Sequence, residues 1–208
     1  MDKMLNHTCF LDVEIACRPA LHDENRAVAE LICQAGGGLY EFLLDDLIPF
    51  MSARDIVAWG VEIKSSPFSY ENCCVAAAAT SNRIVGVANV FPAKLVNRDA
   101  YSFLGSDRLD LIRPMLELQD WESMLLNAIA VADGYRGRGV GRQLMNWAES
   151  YTLRSGLKRL SLHVWADNTE AIRLYRSLGF LERGIAKIAS HPRLPHRGGS
   201  ILMQKILA

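Results

Sequence analysis

The feature that most constrains the fold is an apolar strand that runs through a glycine-rich turn into an amphipathic helix. Residues 124–132 form an apolar run interrupted by Asn127, and residues 136–141 then read Arg-Gly-Arg-Gly-Val-Gly. Apolar side chains recur at helical spacing from Val140 to Tyr151. Glycines let the backbone approach a ligand closely, and the amide groups and dipole at a helix N-terminus favour an anion. The segment therefore predicts a phosphate or pyrophosphate site.

Two common nucleotide-binding turns do not fit this segment. A Walker loop ends in Gly-Lys followed by Ser or Thr, whereas residues 141–143 read Gly-Arg-Gln. A dinucleotide-binding turn has the spacing G-x-G-x-x-G and an acidic residue at the end of the next strand. Here the glycines at 137, 139 and 141 alternate, and the next predicted strand ends at Trp165. Three arginines add positive charge beside the turn: Arg136, Arg138 and Arg142.

The order of predicted elements favours an α+β fold with a mixed sheet rather than a doubly wound parallel sheet. Strands are predicted at Leu11–Cys17, Cys73–Thr80, Arg83–Phe91, Met124–Ala132, Arg159–Trp165, Phe180–Ala189 and Ile201–Leu207. Helices are predicted at Asp23–Gln34, within 39–65, at Ser106–Met115 inside a loop, from Val140 to Gly156, and around Ala171–Leu178. Asp23 is the predicted N-cap of the first helix, and Asp167 and Glu170 have the spacing of a capping box before the last one. The second and third of these strands should form an antiparallel hairpin through Ser81 and Asn82.

Composition predicts one globular domain over residues 1–208, with 1–8 as a loose N-terminal extension. Lys plus Arg and Asp plus Glu each number 23, so no basic field predicts a nucleic-acid or membrane partner. The five cysteines show no CxxC spacing, and the chain has no apolar run long enough for a membrane span and no signal-like start, which together predict a cytoplasmic protein with buried thiols. The five histidines lack metal-ligand spacing, so no metal site is predicted.

The turn and the segment after it together resemble one family, the GNAT superfamily of acyl-CoA-dependent N-acetyltransferases. Its signature of Arg or Gln, two residues, Gly, one residue, and Gly or Ala is matched at Arg136, Gly139 and Gly141. About 30 residues later residues 168–180 read N-x-x-A-x-x-L-Y-x-x-L-G-F, which is similar to the family's second motif. The resemblance implies an α/β/α layered fold, whose central, mostly antiparallel sheet is flanked by helices. It also implies transfer of an acetyl group from acetyl-CoA to a primary amine through a ternary complex, without a metal.

The resemblance assigns candidate roles to particular residues. It implies that the backbone of Ile129, Ala130 and Val131 binds the pantetheine arm as an added strand would. Asn168 would contact the pantetheine end, and Tyr175 would be the general acid that protonates the departing thiolate. The pyrophosphate would bind the turn and its helix, which comprise Arg136, Gly137, Arg138, Gly139, Val140, Gly141 and Arg142. The resemblance further implies an amine-bearing small molecule or peptide as acceptor, and a homodimer as a candidate assembly.

The general base stays open at this stage. Histone-modifying members carry a glutamate eleven residues before the first motif position, where this chain has Leu125. Glu122 and Asp120 are candidate bases, beside a water-mediated route. His163 is interpreted as a hydrogen-bonded or exposed strand residue rather than a base. The acidic residues from 107 to 122 are interpreted as a solvated loop, with attraction of a cationic amine as the alternative.

Two further alternatives concern other parts of the sequence. Tyr175 and Asn168 each have a structural alternative, as a core tyrosine and as a helix cap. The aromatic residues Tyr40, Phe42, Phe50 and Trp59 are predicted to be core rather than acceptor pocket. Because Leu125 replaces the glutamate, a non-catalytic acyl-CoA-binding or sensing module is the alternative function.

Overall fold

The computed structural model describes residues 14–96 and 104–208. The predicted extension at 1–8, Cys9 and the start of the first predicted strand lie outside these residues. The strands are β1 Ile15–Pro19, β2 Cys73–Ala78, β3 Ile84–Pro92, β4 Met124–Val131, β5 Arg159–Trp165, β6 Leu181–Ala186 and β7 Ser200–Ile206. The helices are α1 Asn25–Gly36, α2 Leu39–Leu44, α3 Ala53–Glu62, α4 Ser106–Glu117, α5 Val140–Arg154 and α6 Thr169–Ser177.

Within the described residues the strands form one sheet in the order β1-β2-β3-β4-β5-β7-β6. Only the β4–β5 pair is parallel, and every other neighbouring pair is antiparallel. Helices cover both faces, because α1, α2 and α3 pack in one apolar cluster and α5 and α6 in another. The predicted α+β fold, with its mixed and mostly antiparallel sheet between helical layers, is confirmed.

A bulge in β4 changes which residues face each layer. The β3–β4 register runs from Asn89↔Ala128 to Val90↔Leu126, so Asn127 is the extra residue of β4. Before the bulge, Met124 and Leu126 pack with α5 and α6, and after it Ala128 and Ala130 pack with α1 and α2. The odd-numbered residues after the bulge therefore face the α5 layer.

Most predicted elements are confirmed within a few residues, including the β2–β3 hairpin and the helix inside the loop, which continues to Glu117. The caps predicted at Asp23 and Asp167 are wrong, whereas the alternative role of Asn168 as a helix cap is confirmed. The N-cap of α1 is Glu24 and carries no side-chain cap, and Glu24 instead accepts from Arg18 at 2.9 Å. The N-cap of α6 is Asn168, whose side chain accepts from the amide of Ala171 at 3.1 Å. A cap needs a local backbone geometry that residue spacing alone does not specify.

Other side chains separate into buried and exposed sets. Cys33, Cys73 and Cys74 are buried and unbridged, as predicted, and Cys17 is half-buried. Phe42 is core, but Phe50 and Trp59 are exposed, which corrects the prediction for those two. No helix in residues 14–96 or 104–208 has the length and apolar character needed to cross a membrane.

Candidate functional site

The parallel strands β4 and β5 separate shortly after they begin. Their register includes only Met124↔Leu160 and Leu125↔Ser161, so β4 from Leu126 onward has no strand partner on that side. A cavity of about 690 Å³ occupies this gap, a size typical of sites for organic ligands. It is lined on one side by α5 and α6 and on the other by α2 and α4. We refer to these parts as the α5 half and the α2–α4 half.

The backbone of β4 presents hydrogen-bonding groups to this gap. The amide of Ala132 donates to the carbonyl of Val85 at 2.8 Å, so its N–H points toward β3. Because backbone groups alternate along a strand, those of Val131 and Ile129 point the other way, into the gap. The backbone N–H and C=O of Ala130 point toward β3, as the N–H of Ala132 does. Ala130 is nevertheless among the residues that line the cavity. Of the three predicted strand residues, Ile129 and Val131 thus have the geometry to pair with an extended ligand.

The N-terminus of α5 meets the cavity beyond the end of β4. Gly139 is its N-cap, no side chain caps it, and its first turn contains no acidic residue. The first amides of a helix have no partner inside the helix, so those from Gly139 to Arg142 are available to an anion. All residues from Arg136 to Arg142 except Arg138 line the cavity. The predicted phosphate cradle and the β4 gap therefore belong to one continuous site.

Two glycines of the turn have backbone conformations that favour glycine. Gly137 has φ +73° and Gly139 has φ +80°, and a Cβ added at either position would meet no protein atom within 4 Å. Side chains at both positions would point into open space within or beside the cradle. The glycines thus keep the turn free of backbone strain and leave the predicted phosphate cradle open.

The three arginines of the turn have different surroundings. Arg136 donates from Nε to the carbonyl of Val131 at 3.1 Å and pairs with Asp133 at 3.0 Å. The guanidinium of Arg138 lies 5.7 Å from the centre of the Tyr135 ring. Arg142, in the first turn of α5, lines the cavity. Arg136 and Arg142 therefore contribute positive charge to the cavity lining, whereas Arg138 lies beside it.

Tyr175 lies on α6 and lines the α5 half of the cavity. Its ring contacts Phe180 edge-to-face, with centroids 5.8 Å apart, and its side chain is half-buried. Burial raises the pKa of its phenol to about 12, because the charged phenolate is poorly solvated there. Tyr175 is accordingly protonated at neutral pH and can donate a proton into the cavity. Asn168 also lines the cavity at the start of α6, and it combines this position with its role as N-cap.

The predicted base Glu122 is not part of the cavity lining. Its side chain is 83% exposed and accepts from Arg159 at 2.7 Å. Asp120 accepts from the same guanidinium at 2.9 and 3.0 Å and is likewise absent from the lining. Both residues come before β4, at the end of the sheet where β4 and β5 are paired. The gap opens only after Leu125, and neither residue is among those that line it. The structure therefore places neither candidate base in the cavity lining, and the identity of the general base stays a prediction.

His163 lines the cavity but has hydrogen-bond partners on both ring nitrogens. Nε2 lies 2.9 Å from the carbonyl of Leu118 and 3.1 Å from Nε2 of Gln119, and Nδ1 lies 3.0 Å from Oγ of Ser200. Burial lowers its pKa to about 4, so the ring is neutral at pH 7. The interpretation of His163 as a hydrogen-bonded strand residue is confirmed.

A polar cluster at the β4 bulge was not identified from the sequence as part of the site. Nδ2 of Asn127 donates to the hydroxyl of Tyr40 at 3.0 Å and to Oδ1 of Asn89 at 2.8 Å. Tyr40 and Asn127 both line the cavity, so the interpretation of Tyr40 as core alone is incomplete. The available signal was a single asparagine in each of two apolar strands, because a buried amide requires partners.

The sequence of this site matches a known family model, acetyltransferase (GNAT) family, over residues 40–180. That range covers more than half of the chain and includes the β4 gap, the glycine turn and α6. The chain therefore belongs to the GNAT family of acetyltransferases.

Curated relatives match a shorter part of the chain. The sequence is 36% identical over 64 residues to a mycothiol acetyltransferase of Renibacterium salmoninarum, covering 31% of this chain and 19% of that protein. It is 39% identical over 66 residues to a streptothricin acetyltransferase of Streptomyces lavendulae, covering 31% and 35%. The matched segments thus span only about a fifth and a third of these relatives' lengths.

Solved structures resemble the chain over almost its whole length. A crystal structure of an N-acetyltransferase from Staphylococcus aureus Mu50 aligns with a TM-score of 0.65 at 17% identity, over 91% of this chain and 100% of that one. At such low identity the similarity establishes the fold and leaves the acceptor open.

Proposed function

We propose that the protein transfers an acetyl group from acetyl-CoA to a primary amine by direct attack within a ternary complex. The observation that carries the proposal is the continuity of the site. The backbone of Ile129 and Val131 has no strand partner on the β5 side, although the Val131 carbonyl accepts from Arg136, and it leads to the uncapped start of α5. One ligand with an amide-bearing arm and a pyrophosphate therefore fits both parts of the site. The absence of side chains at Gly137 and Gly139, which both line the cavity, supports the same fit, because the backbone there stays open to a ligand.

Acetyl-CoA supplies a thioester whose carbonyl carbon an amine can attack. The β4 backbone holds the acyl arm like an additional strand, and its amides facing the gap donate to oxygens of the arm. The first amides of α5, together with Arg136 and Arg142, bind the pyrophosphate. These contacts orient the thioester at the gap, close to the bulge of β4.

Transfer requires the amine nitrogen to form a bond to the carbonyl carbon while the carbon–sulfur bond breaks. The sulfur leaves with the bonding electron pair, and the Tyr175 hydroxyl donates the proton that yields the free thiol. The amine must attack in its neutral form. Since Glu122 and Asp120 are outside the cavity, a water-mediated route removes the proton, and the apolar surroundings favour the neutral amine.

The first test is a calorimetric titration of the protein with acetyl-CoA. We expect micromolar binding, about −8 kcal/mol. Absence of binding by folded protein would remove the proposal. A screen for thiol release over many primary amines then separates an enzyme from a sensing module, which would bind acetyl-CoA and consume none. Cytoplasmic location and a homodimer stay predictions, to be checked by fractionation and light scattering.

A further inference from the structure

The α2–α4 half of the cavity differs from the α5 half in its chemistry. Its wall is formed by Leu39, Tyr40, Leu43, Phe68, Met115 and Leu116. The rings of Tyr40 and Phe68 meet edge-to-face, with centroids 5.5 Å apart and planes at 75°. Such a wall provides aromatic faces and edges against which another ring can pack.

Charged groups are scarce in this half of the cavity. Within residues 14–96 and 104–208, Glu170 is the one acidic residue among those that line the cavity, and it lies in the first turn of α6 in the α5 half. The polar lining residues of the α2–α4 half include Gln34, Gln119 and Asn127, which are uncharged. Glu41 lies on α2 but is not a lining residue.

The acidic residues that precede β4 do not provide a negative charge for an ammonium group in the α2–α4 half. Asp120 and Glu122 both bind the guanidinium of Arg159, and Asp120 also accepts from Gln204. A second ammonium group that entered the α2–α4 half would therefore lose its hydration without meeting a carboxylate among the residues that line this half of the cavity. Burial of an unpaired charge is strongly unfavourable.

We infer that the acceptor is a primary amine carrying an aromatic or bulky apolar group, and not a polyamine or a basic peptide. This inference rests on the proposed function and specifies its substrate class. The ring of the acceptor packs against the wall of the α2–α4 half, and its amino group points toward the β4 bulge. There the amide of Asn127 and the hydroxyl of Tyr40 form a neutral polar cluster that tolerates one amino group.

The experiment compares acceptors at saturating acetyl-CoA by following thiol release. The probes are 2-phenylethylamine, ethanolamine, spermidine and a lysine-containing peptide. We expect kcat/KM for 2-phenylethylamine to exceed the values for the other three by about 100-fold. An apolar pocket typically discriminates to this extent between a substrate whose apolar group fills it and one that leaves it empty. A higher value for spermidine or for the peptide would overturn the inference.

A carboxylate introduced into the wall of the α2–α4 half also tests the proposed acceptor class, because it should shift the preference from 2-phenylethylamine toward spermidine. Leu39 is half-buried and lines the cavity, so Leu39→Glu places a carboxylate in the α2–α4 half. We expect Leu39→Glu to lower kcat/KM for 2-phenylethylamine by at least about tenfold and to raise it for spermidine, whereas the matched Leu39→Gln lowers the first without raising the second. Met115→Glu and Met115→Gln form a second pair if Leu39→Glu does not fold. Leu181→Glu, on the exposed edge of β6, should change neither value.

The outcomes distinguish this inference from the proposed function. Failure to bind acetyl-CoA, or binding without transfer to any amine, would overturn both. Acetyl-CoA binding with transfer to spermidine or the peptide as preferred acceptor would overturn only the inference. A loss of spermidine activity in Leu39→Glu would also contradict it, since the added carboxylate should attract a second ammonium group.

Discussion

Replacement of Gly139 by aspartate tests the proposed pyrophosphate site most directly. Gly139 is the N-cap of α5, with φ +80° and ψ −2°, and it lines the cavity. No protein atom lies within 4 Å of a Cβ added there, so the new side chain would not collide with the fold. It would instead place a carboxylate beside the amides that are proposed to bind the pyrophosphate. The expected effect is therefore on ligand binding much more than on folding.

Two contributions set the size of the effect. A non-glycine residue in the left-handed region costs about 1–2 kcal/mol of folding free energy, which corresponds to a decrease in Tm of about 2–8 °C for a chain of this length. Two like charges at contact distance near a protein surface repel by about 4 kcal/mol before salt screening. We expect the Kd for acetyl-CoA to rise by at least about 100-fold, equal to about 2.8 kcal/mol.

The assay is calorimetric titration of acetyl-CoA into each variant, with Tm measured in parallel. Gly139→Ala introduces the backbone strain without the charge, and it should lower Tm while changing Kd much less than the aspartate does. Gly134→Asp is the matched control, because Gly134 has no positive φ, has open space around its Cβ and does not line the cavity. Wild-type affinity in folded Gly139→Asp would refute the assignment of the cradle.

The remaining predictions concern four side chains in or near the site. Tyr175→Phe should lower kcat by about 10²–10⁴-fold with little change in the Kd for acetyl-CoA, and in the wild type the raised pKa of about 12 should keep the phenol active as an acid throughout the neutral and mildly alkaline range of a pH–rate profile. Burial lowers the pKa of His163 to about 4, so the folded protein keeps this ring neutral while the unfolded chain protonates it below pH 6.5. The free energy of unfolding therefore falls as the pH decreases from 6.5 toward 4. Denaturant titrations should show about 2 kcal/mol less stability at pH 5 than at pH 7, and His163→Gln should reduce this difference. Asn168→Ala should destabilise the fold by about 1 kcal/mol and Asn168→Ser much less, and if Asn168 acts only as a cap, the serine variant also keeps wild-type affinity for acetyl-CoA. Glu122→Gln should leave kcat unchanged, because its exposed carboxylate pairs with Arg159 outside the cavity; a large loss of kcat would return Glu122 to the mechanism.

Local patterns in the sequence were sufficient for much of the fold. The alternating strand at 159–165 and the helical spacing after Val140 each depend on residues close together in the chain, and both elements are found where they were predicted. The glycine turn is also predictable from the local sequence, because a left-handed backbone at Gly137 and Gly139 follows from a local preference of glycine. The resemblance to the GNAT family rested on these same local segments.

The position of individual side chains was harder to predict. Asn168 and Asp167 are neighbours, and the spacing to Glu170 favoured Asp167 as the cap. In the structure Asp167 instead lies 2.9 Å from Nδ1 of His196 and accepts from the backbone of Arg197, partners that are distant in sequence. Asp167 was therefore unavailable to α6, and Asn168 became its N-cap.

The sequence by itself determined the order of elements, the mixed sheet and the turn at the start of α5. Only the tertiary structure decided that β4 and β5 separate after Leu125, that the bulge at Asn127 reverses the faces of β4, and that Glu122 pairs with Arg159 outside the cavity. The physical reason is that propensity and periodicity act over a few residues, whereas strand separation, bulge position and ion-pair choice depend on contacts between segments far apart in the chain. The shape of the cavity, and with it the acceptor that we propose for the α2–α4 half, depends on these long-range contacts.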